Sequence, residues 1–195
     1  MTALPAWVPD GETKPAPMPL LLVQSFVNTW EADEGTDLLG DDDHAALAWL
    51  REAGLLGPDS AAIDLAQARA VREGIRALLV HNGGGPPPTD AELDPVRAIA
   101  EGSRLAPVVD AGGRMDLRPE AVGAPAALAR LLLIIRDAQR DGTWGRLKAC
   151  RNDECQWAFY DRTHAGHGAW CDMAVCGNRI KNRNLRSRRA GDARA

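Results

Sequence analysis

The sequence is poor in cysteine, in aromatic residues and in long apolar runs. No cysteine occurs in the first 149 of its 195 residues, aromatic side chains make up 5% of the chain, and there are four histidines. No apolar stretch approaches the roughly 20 residues that a transmembrane helix needs. A membrane-spanning helix and a disulfide framework over most of the chain are therefore excluded.

The start of the chain also lacks a secretion signal, because no basic segment is followed there by an apolar block. We therefore expect a cytoplasmic protein without a membrane partner, and a reducing cytoplasm disfavours disulfides. Hydrophobic residues make up 45% of the chain, which is enough for a packed core.

The net charge of −4 conceals an asymmetry along the chain. Residues 144–195 contain 11 basic and 5 acidic residues, a net charge of +6, whereas the remaining 143 residues contain 12 and 22, a net charge of −10. An acidic body with a basic C-terminal part indicates that only the C-terminal part contacts a polyanion.

All four cysteines lie in the last quarter of the chain, in the pattern C-x4-C-x15-C-x4-C. They are Cys150, Cys155, Cys171 and Cys176. Two close pairs separated by a longer arm are typical of a zinc site, and four thiolates leave no open position for water. We therefore expect one structural Zn²⁺. Two disulfides or four unrelated thiols are the alternatives, and His164 or His167 could replace a cysteine as ligand.

A basic segment follows the fourth cysteine directly. Its cations are Arg179, Lys181, Arg183, Arg186, Arg188 and Arg189. If this segment is helical, Arg179, Arg183 and Arg186 share one face and suit a phosphate backbone, so we predict DNA binding by these residues. A solvated tail, or pairing of the arginines with the acidic body of the same chain, are the alternatives.

Patterning before the cysteines predicts helices. One is expected from Pro19, a second after the carboxylates 41–43, a third capped by Ser60 and reaching Asn82, a fourth opened by the capping box Thr89–Glu92, and a last one over about 121–141. Residues 104–118 are expected to form a small hairpin, and the Gly-Pro run at 83–88 a loop.

The predicted fold is mainly α: a helical N-terminal domain with a small β-hairpin, plus a C-terminal treble-clef-like zinc finger with four cysteine ligands. We expect an irregular lead-in over residues 1–17, the helical domain over 18–142, and the finger with its basic helix over 143–195. Within the finger, residues 157–160 are expected to pair with residues 169–171 across the turn 163–168.

Two groups of motifs resemble a known family. Phe159-Tyr160-Asp161 and the segment WCDMAVCGNRIK at residues 170–181 are similar to the CGNR zinc-finger family. FVNT at 26–29, WL at 49–50 and VREGIR at 71–76 resemble the ABATE domain that precedes the finger in that family. The resemblance implies that the four cysteines bind zinc, and that the protein is a bacterial stress-induced transcription regulator whose finger binds DNA.

Three functions are compatible with these patterns. The favoured one is a DNA-binding regulator, a possible homodimer, whose N-terminal domain dimerises or senses a signal. Asn28, Trp30, Arg72 and Arg76 are its candidate residues for a small-molecule effector. The second is a zinc-stabilised protein-interaction module without direct DNA binding. The third is an enzyme using Asp161 with His164, or Glu73 with His81; because nothing ties these pairs to a nucleophile or an open metal, we predict no catalytic activity.

Overall fold

The structure is a computed structural model that describes residues 3–40, 42–57 and 63–192. Its helices are α1 (Leu20–Val27), α2 (Asp43–Glu52), α3 (Leu65–Asn82), α4 (Asp90–Gly102), α5 (Ala124–Asp141) and α6 (Asn178–Asp192). Three antiparallel hairpins pair β1 (Trp30–Glu31) with β2 (Thr36–Asp37), β3 (Leu105–Val109) with β4 (Met115–Pro119), and β5 (Leu147–Ala149) with β6 (Ala158–Tyr160). The mainly α prediction is confirmed. Within the described ranges, no helix combines the length and apolarity needed to cross a membrane.

Helix α1 lies at the centre of the molecule. All of its residues are buried, as expected for a helix that is apolar on nearly every side, and it packs against α3, α5 and β6. Helix α1 buries its polar residues Gln24 and Ser25 as well as its apolar ones. Gln24 is satisfied by hydrogen bonds, one of them donated to the Ala158 carbonyl oxygen at 3.1 Å.

Helix starts follow the predicted capping chemistry. Asp42 accepts hydrogen bonds from the amides of His44 and Ala45, and Thr89 with Glu92 forms the predicted capping box. Helix α3 begins later than predicted, at Leu65, and its cap is Asp64 instead of Ser60; the Asp64 carboxylate accepts from the Gln67 amide at 2.9 Å. Asp41 and Ser60, which the sequence also proposed at helix starts, lie outside the described residues.

The lead-in has no helix or strand in its described part, yet it crosses onto the C-terminal region. The Lys14 carbonyl oxygen accepts from the Tyr160 amide at 2.9 Å, and the Lys14 ammonium donates to the Trp170 carbonyl oxygen at 2.7 Å. Burial raises the pKa of Glu12, whose carboxylate accepts from Trp157, Gln24 and the Lys14 amide. The lead-in therefore connects the helical region to the part of the chain that carries the cysteines.

Candidate metal centre and basic helix

The first cysteine pair lies in the loop of the β5–β6 hairpin. Leu147 pairs with Tyr160 and Ala149 with Ala158, and the Cys150 amide donates to the Trp157 carbonyl oxygen at 2.9 Å. The predicted pairing of 157–160 with 169–171 is therefore wrong. Residues 150–157 connect the two strands directly, and both strands are buried in the core of the helical region, so burial decides the pairing.

The four cysteine sulfurs converge at one point. All lie within 4.8 Å of one another, and Sγ of Cys171 is 3.7 Å from Sγ of both Cys155 and Cys176. Zinc–sulfur bonds of about 2.3 Å in a tetrahedron separate two sulfurs by about 3.8 Å. The four residues are free thiols, so the geometry is that of a metal site and not of disulfides.

The electrostatics of the cluster also fit a bound cation. Hydrogen bonding from the Cys155 thiol lowers the pKa of Cys150. Hydrogen bonding to Cys150 raises the pKa of both Cys155 and Cys171, and the negative charge of the Cys150 thiolate raises both further. Zinc binds cysteine as the thiolate, so a divalent cation at this point would stabilise the deprotonated form of the ligands. One structural zinc ion satisfies the site.

Residues between the ligands shape the site without binding the metal. Asn152 is buried, its amide nitrogen lies 3.8 Å from Sγ of Cys176, and its backbone carbonyl oxygen accepts from the Cys155 amide at 2.8 Å. Asp172 accepts from the Ala174 and Val175 amides and so begins the π-helical turn Met173–Gly177 that carries Cys176. Sequence reasoning missed Asn152; its place between two ligand cysteines was the available signal.

The Gly-Asn pair after Cys176 has a packing role. A Cβ atom on Gly177 would collide with Sδ of Met173 and lie 3.1 Å from Cδ1 of Trp170, so a larger residue here would displace the Met173 side chain. The Asn178 side chain donates to the Ala174 carbonyl oxygen at 3.0 Å across the start of α6. These contacts link the second pair of ligands to the helix that follows it.

Asp161 organises the turn 163–168. Its buried carboxylate lies 2.8 Å from the Lys148 ammonium and accepts from the Thr163 hydroxyl at 2.7 Å and the Gly168 amide at 2.7 Å. Burial raises the pKa of Asp161, but the hydrogen bonds from Lys148, Thr163 and Gly168 outweigh it and hold the pKa well below its ordinary value. His164 and His167 are exposed on this turn, and the metal cluster consists of the four cysteines.

The basic segment forms α6, which begins directly after the π-helical turn. Arg179, Arg183 and Arg186 are exposed, and their spacing of four and three residues places them on one face. Lys181 is exposed off this face. For Arg188 and Arg189 the structure describes the helical backbone only.

Two arginines of α6 already face carboxylates of the same chain. The Arg179 guanidinium donates to the Asp33 carboxylate at 2.9 Å, and the Arg183 guanidinium lies 3.7 Å from the Glu154 carboxylate. Asp33 belongs to the turn between β1 and β2, whereas Glu154 lies between the first two cysteines. Pairing with the acidic body, an alternative left open by the sequence, is therefore present at Arg179.

The candidate effector residues form internal bonds. Asn28 exchanges two hydrogen bonds with the backbone of Ala158, at 2.9 and 2.8 Å. Arg76 donates to the carbonyl oxygens of Gln156 at 2.9 Å and Val27 at 2.7 Å, and it lies over the Trp30 ring. Asn28 thus binds the start of strand β6, and Arg76 connects α3 to the cysteine-bearing loop.

Arg72 has a related role on the neighbouring turn of α3. Its buried guanidinium forms a bidentate ion pair with Asp37 and also bonds Glu73 and Thr29. Burial alone raises the pKa of Asp37, yet the hydrogen bond and charge of Arg72 help to bring the pKa below its ordinary value. Arg72 therefore fixes strand β2, and with it the turn that carries Asp33.

The residues of the enzyme alternative are also engaged elsewhere. Glu73 accepts from Arg72 and Arg76, while His81 lies 3.3 Å from the Gly85 carbonyl oxygen. The carboxylate of Asp161 bonds to Lys148, Thr163 and Gly168.

The fold and the four-sulfur centre define a helical protein with a C-terminal four-cysteine zinc finger. Residues 146–189 match the CGNR zinc finger, and residues 21–140 match the ABATE domain, whose family is described as "Putative stress-induced transcription regulator". The ABATE match covers more than half of the chain, so the chain belongs to this family. No curated protein matches the sequence.

Proposed function

We propose that this protein is a transcription regulator that binds DNA through its zinc finger and helix α6. The observation that carries the proposal is the exposed arginine face of α6, which starts at the metal centre. Arg179, Arg183 and Arg186 present guanidinium groups at the spacing of one helix face, and arginine donates bidentate hydrogen bonds to phosphate.

The distribution of charge supports contact through the C-terminal part of the chain, which includes the finger and α6. A zinc ion with four thiolates carries a net charge of −2, so residues 144–195 keep a positive balance after metal binding. The remainder of the chain is strongly acidic and repels a polyanion. Lys181, Arg188 and Arg189 extend the proposed contact. In this proposal the protein acts in the bacterial cytoplasm during a stress response and catalyses no reaction.

We propose that the helical domain dimerises through the β3–β4 hairpin, because one finger offers few groups that read bases. Leu105, Val109 and Met115 are all exposed on one face of this hairpin, and Val109 pairs directly with Met115. The charges at the two ends of this face balance, which favours a self-complementary contact between two copies. They are Arg104 and Glu120 at the open end of the hairpin, and Asp110 and Arg114 at its turn.

Light scattering tests this dimer. The zinc-loaded chain is expected to have twice the monomer mass, and Met115→Asp, which places a charge in the apolar face, is expected to return it to the monomer mass. A monomeric wild type would contradict the proposal.

We also propose that the helical domain responds to an effector. The polar groups of Asn28, Arg72 and Arg76 are satisfied by bonds within the chain, so they do not name the ligand.

Protein docking without DNA contact is the second candidate, and it is favoured by exposed apolar side chains in the π-helical turn and on α6. Met173, Val175 and Leu185 are each nearly half exposed. Docking through these residues would depend weakly on salt, whereas phosphate contact releases counterions and depends on salt steeply.

The proposed function is tested by fluorescence anisotropy of a mixed-sequence DNA duplex at low salt. Alanine replacement of Arg179, Arg183 and Arg186 together is expected to weaken binding roughly 10- to 100-fold, because three phosphate contacts are lost. The matched control replaces three arginines on the surface of α4 and α5, the exposed Arg97 and Arg140 and the partly exposed Arg136, with the same change in net charge. Equal losses in both triple variants would contradict binding through α6.

A further inference from the structure

We propose that the acidic turn (residues 31–34) competes with DNA phosphate for Arg179 and thereby lowers the DNA affinity of the finger. This inference rests on the proposed function. The Asp33 carboxylate accepts a hydrogen bond from the Arg179 guanidinium at 2.9 Å, although the two residues are 146 positions apart. A carboxylate in this position takes the place that a phosphate oxygen would occupy in a DNA complex.

A second carboxylate faces the same side of the helix one turn later. Arg183 lies 3.7 Å from Glu154, in the loop between the first two zinc ligands. Asp33 and Glu154 come from different elements, so two anionic groups approach the DNA-binding face from two directions. Both contacts must separate before two phosphates can bind there.

The acidic turn is held firmly enough to act as a competitor. Trp30 pairs with Asp37 and Glu31 with Thr36, so the turn is closed by strands on both sides. The Gly35 amide donates to the Glu31 carbonyl oxygen at 2.9 Å. Asp37 is bound in turn by the buried Arg72 of α3, which joins the position of the turn to the core of the helical domain.

Charge within the turn is not balanced locally. Glu31, Asp33 and Glu34 lie within four residues, and burial together with repulsion from Glu34 and Asp33 raises the pKa of Glu31. Arg179 relieves part of this repulsion by pairing with Asp33. Removing the Asp33 charge therefore frees Arg179 and also lowers the repulsion that an approaching phosphate meets.

The expected effect is modest, because the contact is exposed. The side chains of Arg179 and Asp33 are 47% and 36% accessible, and exposed ion pairs of this kind change an equilibrium by a factor of about 2 to 5. The acidic turn therefore adjusts affinity within that range. Added salt screens the contact and is expected to reduce the effect.

The test compares DNA affinities of zinc-loaded, full-length Asp33→Asn, Glu34→Gln and wild type by anisotropy at low salt. Glu34→Gln is the matched control, because it removes the same charge from the same turn at an exposed residue. We expect Asp33→Asn to bind about 2- to 5-fold more tightly, and Glu34→Gln to change binding by clearly less. In an Arg179→Ala background, the two substitutions are expected to have equal effects.

Equal effects of Asp33→Asn and Glu34→Gln in the wild-type background would overturn the inference, since general charge would then explain both. Wild-type binding that Asp33→Asn leaves unchanged would also overturn it, while leaving the proposed function intact. Absence of binding by every protein would instead overturn the proposed function and the competition with it. Backbone NMR shifts of residues 178–183, perturbed in Asp33→Asn alone, would report the contact independently of DNA.

Discussion

The helical region and the zinc finger are stabilised by different interactions. Around α1 the chain buries a large apolar core, in which Phe26, Ile75 and Leu131 are fully inaccessible. Near the cysteines the buried cluster is small, consisting of the ligands with Trp157 and the partly buried Trp170. The first region is held by burial of apolar surface, whereas the second depends on the metal.

The apolar core of the helical region extends into the part of the chain that carries the first two zinc ligands. Strands β5 and β6 belong to the core of the helical region, although they flank the first ligand pair. Polar bonds also connect Asn28 to Ala158 at the start of β6, and Arg76 to Gln156 in the loop that carries the first two cysteines. Only the ligand loops and α6 are therefore left to depend on zinc, and this comparison can be tested step by step.

Loss of the metal should have the largest effect. Structural zinc contributes on the order of 10 kcal/mol of apparent folding free energy to small fingers at neutral pH. Replacing Cys176 by Ser is expected to abolish stoichiometric zinc binding, measured by elemental analysis. In hydrogen exchange, the ligand loops and α6 should lose protection while α1 and α3 keep theirs. Ala165→Ser, in an exposed turn, is the control, and uniform loss of protection would contradict the comparison.

A cavity in the apolar core should destabilise the helical region and leave zinc binding by the folded protein unchanged. Phe26→Ala is expected to lower the free energy of unfolding by about 3–5 kcal/mol, because it removes a fully buried ring. Urea denaturation measures the loss, with exposed Val122→Ala as control. Zinc stoichiometry of the folded variant should remain at one, and loss of zinc without unfolding would show that the centre depends on the core more closely than these contacts imply.

The buried ion pair within the finger gives a further prediction. Asp161→Ala leaves the Lys148 ammonium buried and unpaired, at an expected cost of about 3 kcal/mol in unfolding free energy at neutral pH. Because the pKa of Asp161 is lowered in the folded state, its contribution is present above the ordinary value of 3.8 and is lost as pH falls below it. The difference from wild type should therefore narrow below about pH 4 in pH-dependent urea denaturation. A difference that grows on acidification would contradict this assignment.

The smallest loss of stability should come from removing a contact between the helical region and the finger. Arg76→Ala leaves the carbonyl oxygens of Val27 and Gln156 without this donor, at a cost of about 1–3 kcal/mol. We expect the finger to unfold at a lower temperature than the helices in this variant, as followed by tryptophan fluorescence and far-ultraviolet circular dichroism. The exposed Arg97→Ala is the control, and coincident transitions at the wild-type temperature would show that Arg76 does not couple the regions.

Local signals in the sequence predicted local structure well. The capping residues Asp42 and Thr89, the β3–β4 hairpin and the spacing of the cysteines all depend on chemistry within a few residues. The spacing predicted the metal centre and its four ligands, because close thiolates have few other stable arrangements in a reducing environment.

Contacts between distant segments could not be read in the same way. Nothing near Asn28 indicates that it pairs with Ala158, 130 residues away, and nothing near Asp33 indicates Arg179. The strand partner of 158–160 was missed for the same reason, because composition favoured the turn 163–168 while burial in the helical core decided the pairing. Polar residues on apolar helices suggested an effector site, but in the folded protein Arg72 and Arg76 form hydrogen bonds and ion pairs with other residues of the chain.

The most direct test of zinc-dependent DNA binding through α6 is the salt dependence of affinity for the zinc-loaded protein on a mixed-sequence duplex. If three phosphates are contacted, the slope of log affinity against log salt concentration should be about −2.7 or steeper. It should become shallower when Arg179, Arg183 and Arg186 are replaced by alanine. No binding at low salt by the folded, zinc-loaded protein, or a slope that the three replacements leave unchanged, would contradict DNA binding through α6.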